Sequence, residues 1–132
     1  MKKMNLYLLE SFRTNNFTDE AMLNKIQGAW VNISKLEPAL EGDIYAIYTD
    51  YHSDYRGDYG FALATQEPRT EMMIPITPNI DYRVFDVVDR DVAGTWKHIW
   101  ELEDGGLLNR AYTIDYERYG MDGSVKIYIA IQ

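Results

Sequence analysis

The sequence predicts an α+β domain of tandem duplicated strand–helix–strand–strand modules, forming one antiparallel sheet with two helices and a central ligand cleft. Three observations predict it. Two stripes at helical spacing carry the same pattern, I/V-x-G-x-W-x-x-I, with Ile26, Gly28, Trp30 and Ile33 in the first and Val92, Gly94, Trp96 and Ile99 in the second. Each stripe is followed by two short segments rich in Tyr, Ile, Val and Ala. Further pairs at a spacing of about 66 residues, Gly57 with Gly123 and Ala64 with Ala130, extend the likeness, although a spacing of about 70 aligns Trp30 with Trp100 instead. One domain over residues 1–132 is expected, with a first repeat at about 4–66 and a second at about 70–132.

In chain order, Asn5 to Phe12 reads as a strand that Asn15-Asn16 breaks. Thr18 is the expected N-cap of the first helix, with Asp19 and Glu20 complementing its positive end and Met22, Ile26, Ala29, Trp30 and Ile33 on its apolar stripe. That helix ends before Pro38. Strands follow at Ile44 to Asp50 and Tyr59 to Thr65, joined by the polar loop Ser53 to Asp58. The second half repeats this order. An extended segment runs from Met72 to Val88, and a helix carries Val92, Trp96, Ile99 and Trp100 as far as the Asp104-Gly105-Gly106 stop. Strands at Arg110 to Arg118 and Val125 to Ile131 close the chain around an Asp122-Gly123 turn.

Strand parity divides each strand between two faces. Val125, Ile127, Ile129 and Ile131 belong against a helix, as do Tyr59, Phe61 and Leu63. The same rule, run from Arg110, puts Tyr112, Ile114 and Tyr116 towards the helices. Glu117 then falls on the opposite face beside Tyr128, over a floor of Gly60, Ala62 and Ala64, where Ile47, Thr49 and Tyr51 are the first-half counterparts. A carboxylate among aromatic rings is a receptor for a hydrophobic cation, since the acid supplies charge and the rings supply cation–π attraction and buried area. The competing reading of Glu117 is a solvated acid at a strand edge.

Composition excludes several classes. With no Cys, and only His52 and His98, thiolate metal sites, redox pairs and Cys nucleophiles have no residues to use. A net charge of −8, from 13 Lys+Arg against 21 Asp+Glu, argues against direct nucleic-acid binding. No run approaches the roughly 20 apolar residues of a membrane span. Nor does the N-terminus hold a continuous apolar signal core, so a cytoplasmic location is expected. Asp50, Asp54 and Asp58 lack calcium-loop spacing and Ser53 lacks a nucleophile elbow, so neither a metal nor a cofactor is expected. The Ile127–Ile131 strand is a candidate sheet edge for pairing with a second copy as a homodimer.

The runs Phe12-Arg13-Thr14-Asn15-Asn16, Ile44 to Tyr51, Asp81-Tyr82-Arg83-Val84-Phe85 and Arg110 to Tyr119, followed by Ile127-Tyr128-Ile129, resemble the gyrase-inhibitor-like effector-binding superfamily over nearly the whole chain. The resemblance implies a stand-alone relative of the ligand-binding halves of AraC-type and MerR-type transcription regulators. Some members are free-standing binders of lipophilic cations and some are carried on integron cassettes. No helix-turn-helix segment is expected before Asn5 or after Ile131. The family's cleft glutamate corresponds to Glu117 within Asp115-Tyr116-Glu117-Arg118-Tyr119, with Tyr45, Tyr51, Trp96, Trp100 and Tyr128 as expected neighbours. The implied function is non-enzymatic capture of a small amphipathic, cationic molecule. The alternative is a small hydrolase of reactive toxins with Glu117 as general base, and a third reading has the acidic surface engage a basic protein partner.

Overall fold

Aromatic and aliphatic residues alternate with Gly and Ala from Tyr59 to Thr65, and this run forms a strand with the expected limits. It is the third strand, β3, of a computed structural model that describes residues 3–132. Before it come β1 (Met4–Thr14), α1 (Met22–Ser34) and β2 (Ile44–Thr49). After it come β4 (Met73–Ile76), β5 (Tyr82–Asp86), α2 (Val92–Asp104), β6 (Asp115–Tyr119) and β7 (Val125–Ala130). All seven strands join one antiparallel sheet in the order β4-β1-β3-β2-β6-β7-β5. The order β1-β3-β2 reappears as β5-β7-β6 on the other side of the β2–β6 seam, so the two modules meet about a pseudo-two-fold axis.

Both helices lie on one face of the sheet. Ala29 and Ile33 of α1 pack on Ala46, Tyr59, Phe61 and Leu63. Ile99 of α2 packs on Ile127 and Ile129. The helix limits differ by 70 residues, whereas β3 and β7 begin 66 apart. Both spacings noted in the sequence therefore occur, one in the helices and one in the strands. They differ by about one helical turn, so either keeps the stripe on the same side of the helix.

The far face is also closed. Leu6, Tyr45, Ile47, Ala62, Ala64, Ile76 and Tyr116 are buried there, with Tyr82 and Tyr128 packed against them from the other end of the sheet. A bulge between Leu8 and Glu10 lets β1 serve both faces: Leu6 and Leu8 point to the far cluster, while Phe12 contacts Phe61 on the helix face. The sheet curls so that its outer strands fill this side themselves.

Local chemistry departs from expectation in three places. Thr18 does not cap α1. Asn15 Oδ1 accepts from the amides of Phe17 and Thr18, and the Asp19 carboxylate accepts from the Ala21 amide and from Thr14 while pairing with Lys25 at 2.5 Å, so turns precede the helix. The expected strand from Arg110 shrinks to Asp115–Tyr119, because Tyr112 adopts a left-handed φ of 55° and Arg110 retains only an isolated bridge to Ile131. β7 lies between β6 and β5, so the terminal strand is interior and has no free edge for a second copy.

α2 has a side-chain cap. Asp91 accepts from the Gly94 amide at 2.9 Å and covers one of the donors that a helix start leaves open. Asp91→Ala is expected to cost about 1 kcal/mol in urea unfolding, with binding properties unchanged. Among the described residues, no helix is long and apolar enough to cross a membrane.

Candidate functional site

The helices diverge over the β2–β6 seam and leave a cavity of about 500 Å3 between them. Such a volume suits a drug-sized ligand. Met22, Ile26 and Trp30 of α1 form one wall and Val92, Trp96 and Trp100 of α2 the other. Tyr48, Tyr59, Phe61, Glu117 and Tyr119 rise from the sheet, and Tyr51, Tyr55 and Arg110 close one end. Exposed Lys97 also borders the cavity.

Glu117 is the single acid in this lining and is only 3% exposed. The pairing of β2 with β6 sets Glu117 opposite Ala46, whose small side chain leaves space above it. Its carboxylate accepts three hydrogen bonds. Tyr48 donates at 2.8 Å and the Trp96 indole at 2.6 Å, both to Oε2, while Tyr119 donates at 2.6 Å to Oε1. Burial pushes the carboxyl above the ordinary glutamate value, and these three donors, which favour the anion, offset part of that rise. The neighbouring phenols respond in kind: burial and the Glu117 charge hold Tyr48 and Tyr119 well above the usual tyrosine range. Ring contacts extend the lining, with Tyr48 against Trp96 at 5.0 Å and Trp30 edge-on to Tyr119 at 4.8 Å.

A second buried polar group sits at the closed end. Arg110 donates to Asp115 at 2.8 Å, Tyr51 donates to the same oxygen at 2.5 Å, and the Ala130 amide donates to the other oxygen at 2.7 Å. Glu103 receives Arg110 at 3.5 Å and accepts from Tyr112, whose ring lies 4.3 Å from the guanidinium. The Arg110 charge is thus compensated inside the protein. Beyond it, Tyr55 stacks on Trp100 at 5.0 Å and donates to Asp104.

Four of the six residues singled out in the sequence come together here: Glu117, Tyr51, Trp96 and Trp100 all line the cavity. Tyr45 and Tyr128 do not. Both belong to the far-face cluster, where Tyr128 stacks on Tyr116 at 4.5 Å. The parity assigned to β6 was inverted, because Glu117 pairs with Ile127 and Tyr116 with Tyr128, which puts the acid on the helix face. The small residues Ala62 and Ala64 accordingly floor the far aromatic cluster and not the cavity. Tyr51 reaches the cavity because Asp50, at φ 50°, ends the alternation of β2. Sequence reasoning missed Tyr48, Tyr119 and Arg110. Once Glu117 is on the helix face, Tyr119, two residues on, must share it.

Among the described residues, no group of three or more His, Asp or Glu side chains has the geometry to hold a metal ion. No family model matches the chain. A curated protein of Bacillus subtilis (strain 168) named "Putative transcriptional regulator protein YobU" is 28% identical, the alignment covering 92% of this chain and 89% of that protein. The crystal structure of integron cassette protein VCH_CASS2, from the mobile metagenome of Vibrio cholerae, shares the fold at a TM-score of 0.75 and 22% identity, covering all of this chain and 92% of the other.

Proposed function

We propose that this protein is a non-enzymatic binding module that captures a small amphipathic cation between α1 and α2, with Glu117 supplying the complementary charge. The observation that carries the reading is a buried carboxylate in the wall of an aromatic cavity. An anion withdrawn from water is costly; its three donors meet part of that cost without bringing opposite charge, and a cation held against ring faces supplies the charge they lack. Arg110 does not serve this purpose, being paired with Asp115. The resemblance to effector-binding domains and the regulator name of the Bacillus relative both favour ligand sensing or sequestration over a purely structural role.

The test is a titration with lipophilic cations and neutral analogues of similar shape. Trp30, Trp96 and Trp100 all line the cavity, so their fluorescence reports occupancy. Cations are expected to quench it and, at a hundredfold excess over Kd, to raise stability by about 2.7 kcal/mol, while the neutral analogues need far higher concentrations for the same effects. Equal effects from both sets would overturn the reading.

One observation favours a second reading. The upward-shifted Glu117 is closer to the proton affinity of a general base than an exposed glutamate is, which suits a hydrolase of reactive electrophiles. Turnover of such a substrate by the wild type and its loss in Glu117→Gln would establish that reading instead.

A further inference from the structure

We infer that the cavity selects cations that carry no N–H donor at the charged centre, such as quaternary ammonium or other fully substituted onium groups, over protonated amines of the same skeleton. This inference rests on the cation-binding reading above and specifies its ligand class. The reason lies in what already occupies Glu117. A carboxylate offers about four lone-pair sites. Here Oε2 takes both the Tyr48 hydroxyl and the Trp96 indole, and Oε1 takes the Tyr119 hydroxyl. The Asp115 carboxylate at the closed end likewise already holds three donors, from Arg110, Tyr51 and the Ala130 amide.

A protonated primary amine brings three donors that must leave water together. Oε1 has room for one of them. To satisfy a second on Glu117 the amine has to displace a phenol or the indole, and an indole N–H has no acceptor function with which to rearrange. The displaced donor is then stranded beside rings. A quaternary centre asks for no acceptor. It needs only the field of the anion and the faces of neighbouring aromatic rings, and Tyr48, Trp96, Trp30 and Tyr119 lie together around Glu117.

Four probes isolate this preference from the burial of extra methyl groups. They are phenethyltrimethylammonium, phenethylammonium and their uncharged carbon counterparts, 3,3-dimethylbutylbenzene and propylbenzene. Each Kd is read from tryptophan quenching of the wild-type protein at neutral pH. The gain from ammonium to trimethylammonium is expected to exceed the gain from propylbenzene to 3,3-dimethylbutylbenzene by at least tenfold. If the charged pair gains no more than the neutral pair while both cations bind more tightly than their carbon counterparts, the inference is overturned and the cation reading stands. If the cations bind no more tightly than their carbon counterparts, or no probe binds, the cation reading itself fails.

Discussion

Glu117→Gln is expected to weaken binding of a lipophilic monocation by about 2–3 kcal/mol, roughly 30- to 150-fold in Kd, while leaving neutral analogues nearly unaffected. The substitution keeps the shape of the side chain and one acceptor oxygen but removes the charge that a ligand cation would face. Its pH signature is equally diagnostic. A bound cation favours the ionised carboxylate, so affinity is high above the Glu117 pKa and declines as pH falls through it. Because burial raises that pKa above the ordinary value of 4.5, the decline begins at a higher pH than for an exposed glutamate. Glu117→Gln should bind weakly and without this pH dependence. A wild-type Kd that stays flat through the acid range would show that the carboxylate does not carry recognition.

The largest stability loss is expected from Asp115→Ala. Asp115 is fully buried and receives the Arg110 guanidinium, the Tyr51 hydroxyl and the Ala130 amide. Removing it leaves a buried guanidinium short of its main partner, and the loss of one member of a buried ion pair costs about 3–5 kcal/mol. For a chain of this size that corresponds to a fall in Tm of roughly 11–18 °C in calorimetry. Arg110→Met with Asp115→Asn should recover much of the loss, because it removes both charges together. Recovery would identify the pair as a device for anchoring the irregular chain before β6. A single substitution that leaves Tm unchanged would mean that water reaches the pair.

Much of this architecture was legible from local pattern. The limits of β3 and the stripe of α2 follow from period-2 and period-3.6 spacing, and the duplication follows from the twice-repeated Gly and Trp positions. The facing of β6 was not legible, for a physical reason. A sheet covered by helices on one side and by its own curled edges on the other is buried on both faces, so alternation no longer separates inside from outside. Asp115 and Glu117 look like solvent-facing residues, yet both lie under the helices and Tyr116 faces the far cluster. The left-handed backbone at Tyr112 broke the parity count carried forward from Arg110. That count set Tyr128 beside Glu117, and Tyr45 entered the expected site with the family resemblance, while Tyr48 and Tyr119 were left out. Cross-strand register corrects all four.

The central claim is that ligand enters between the helices, on the Glu117 side of the sheet. Proton–nitrogen correlation spectra recorded during titration with phenethyltrimethylammonium test it most directly. The three indole N–H signals belong to Trp30, Trp96 and Trp100, all of which line the cavity, and Tyr45, Tyr116 and Tyr128 mark the opposite face. The account predicts saturable shifts at all three indoles, largest at Trp96 because its N–H bonds to Glu117, with little change around Tyr45 and Tyr128. Shifts centred on Tyr45 and Tyr128, or indole signals that never move, would contradict it.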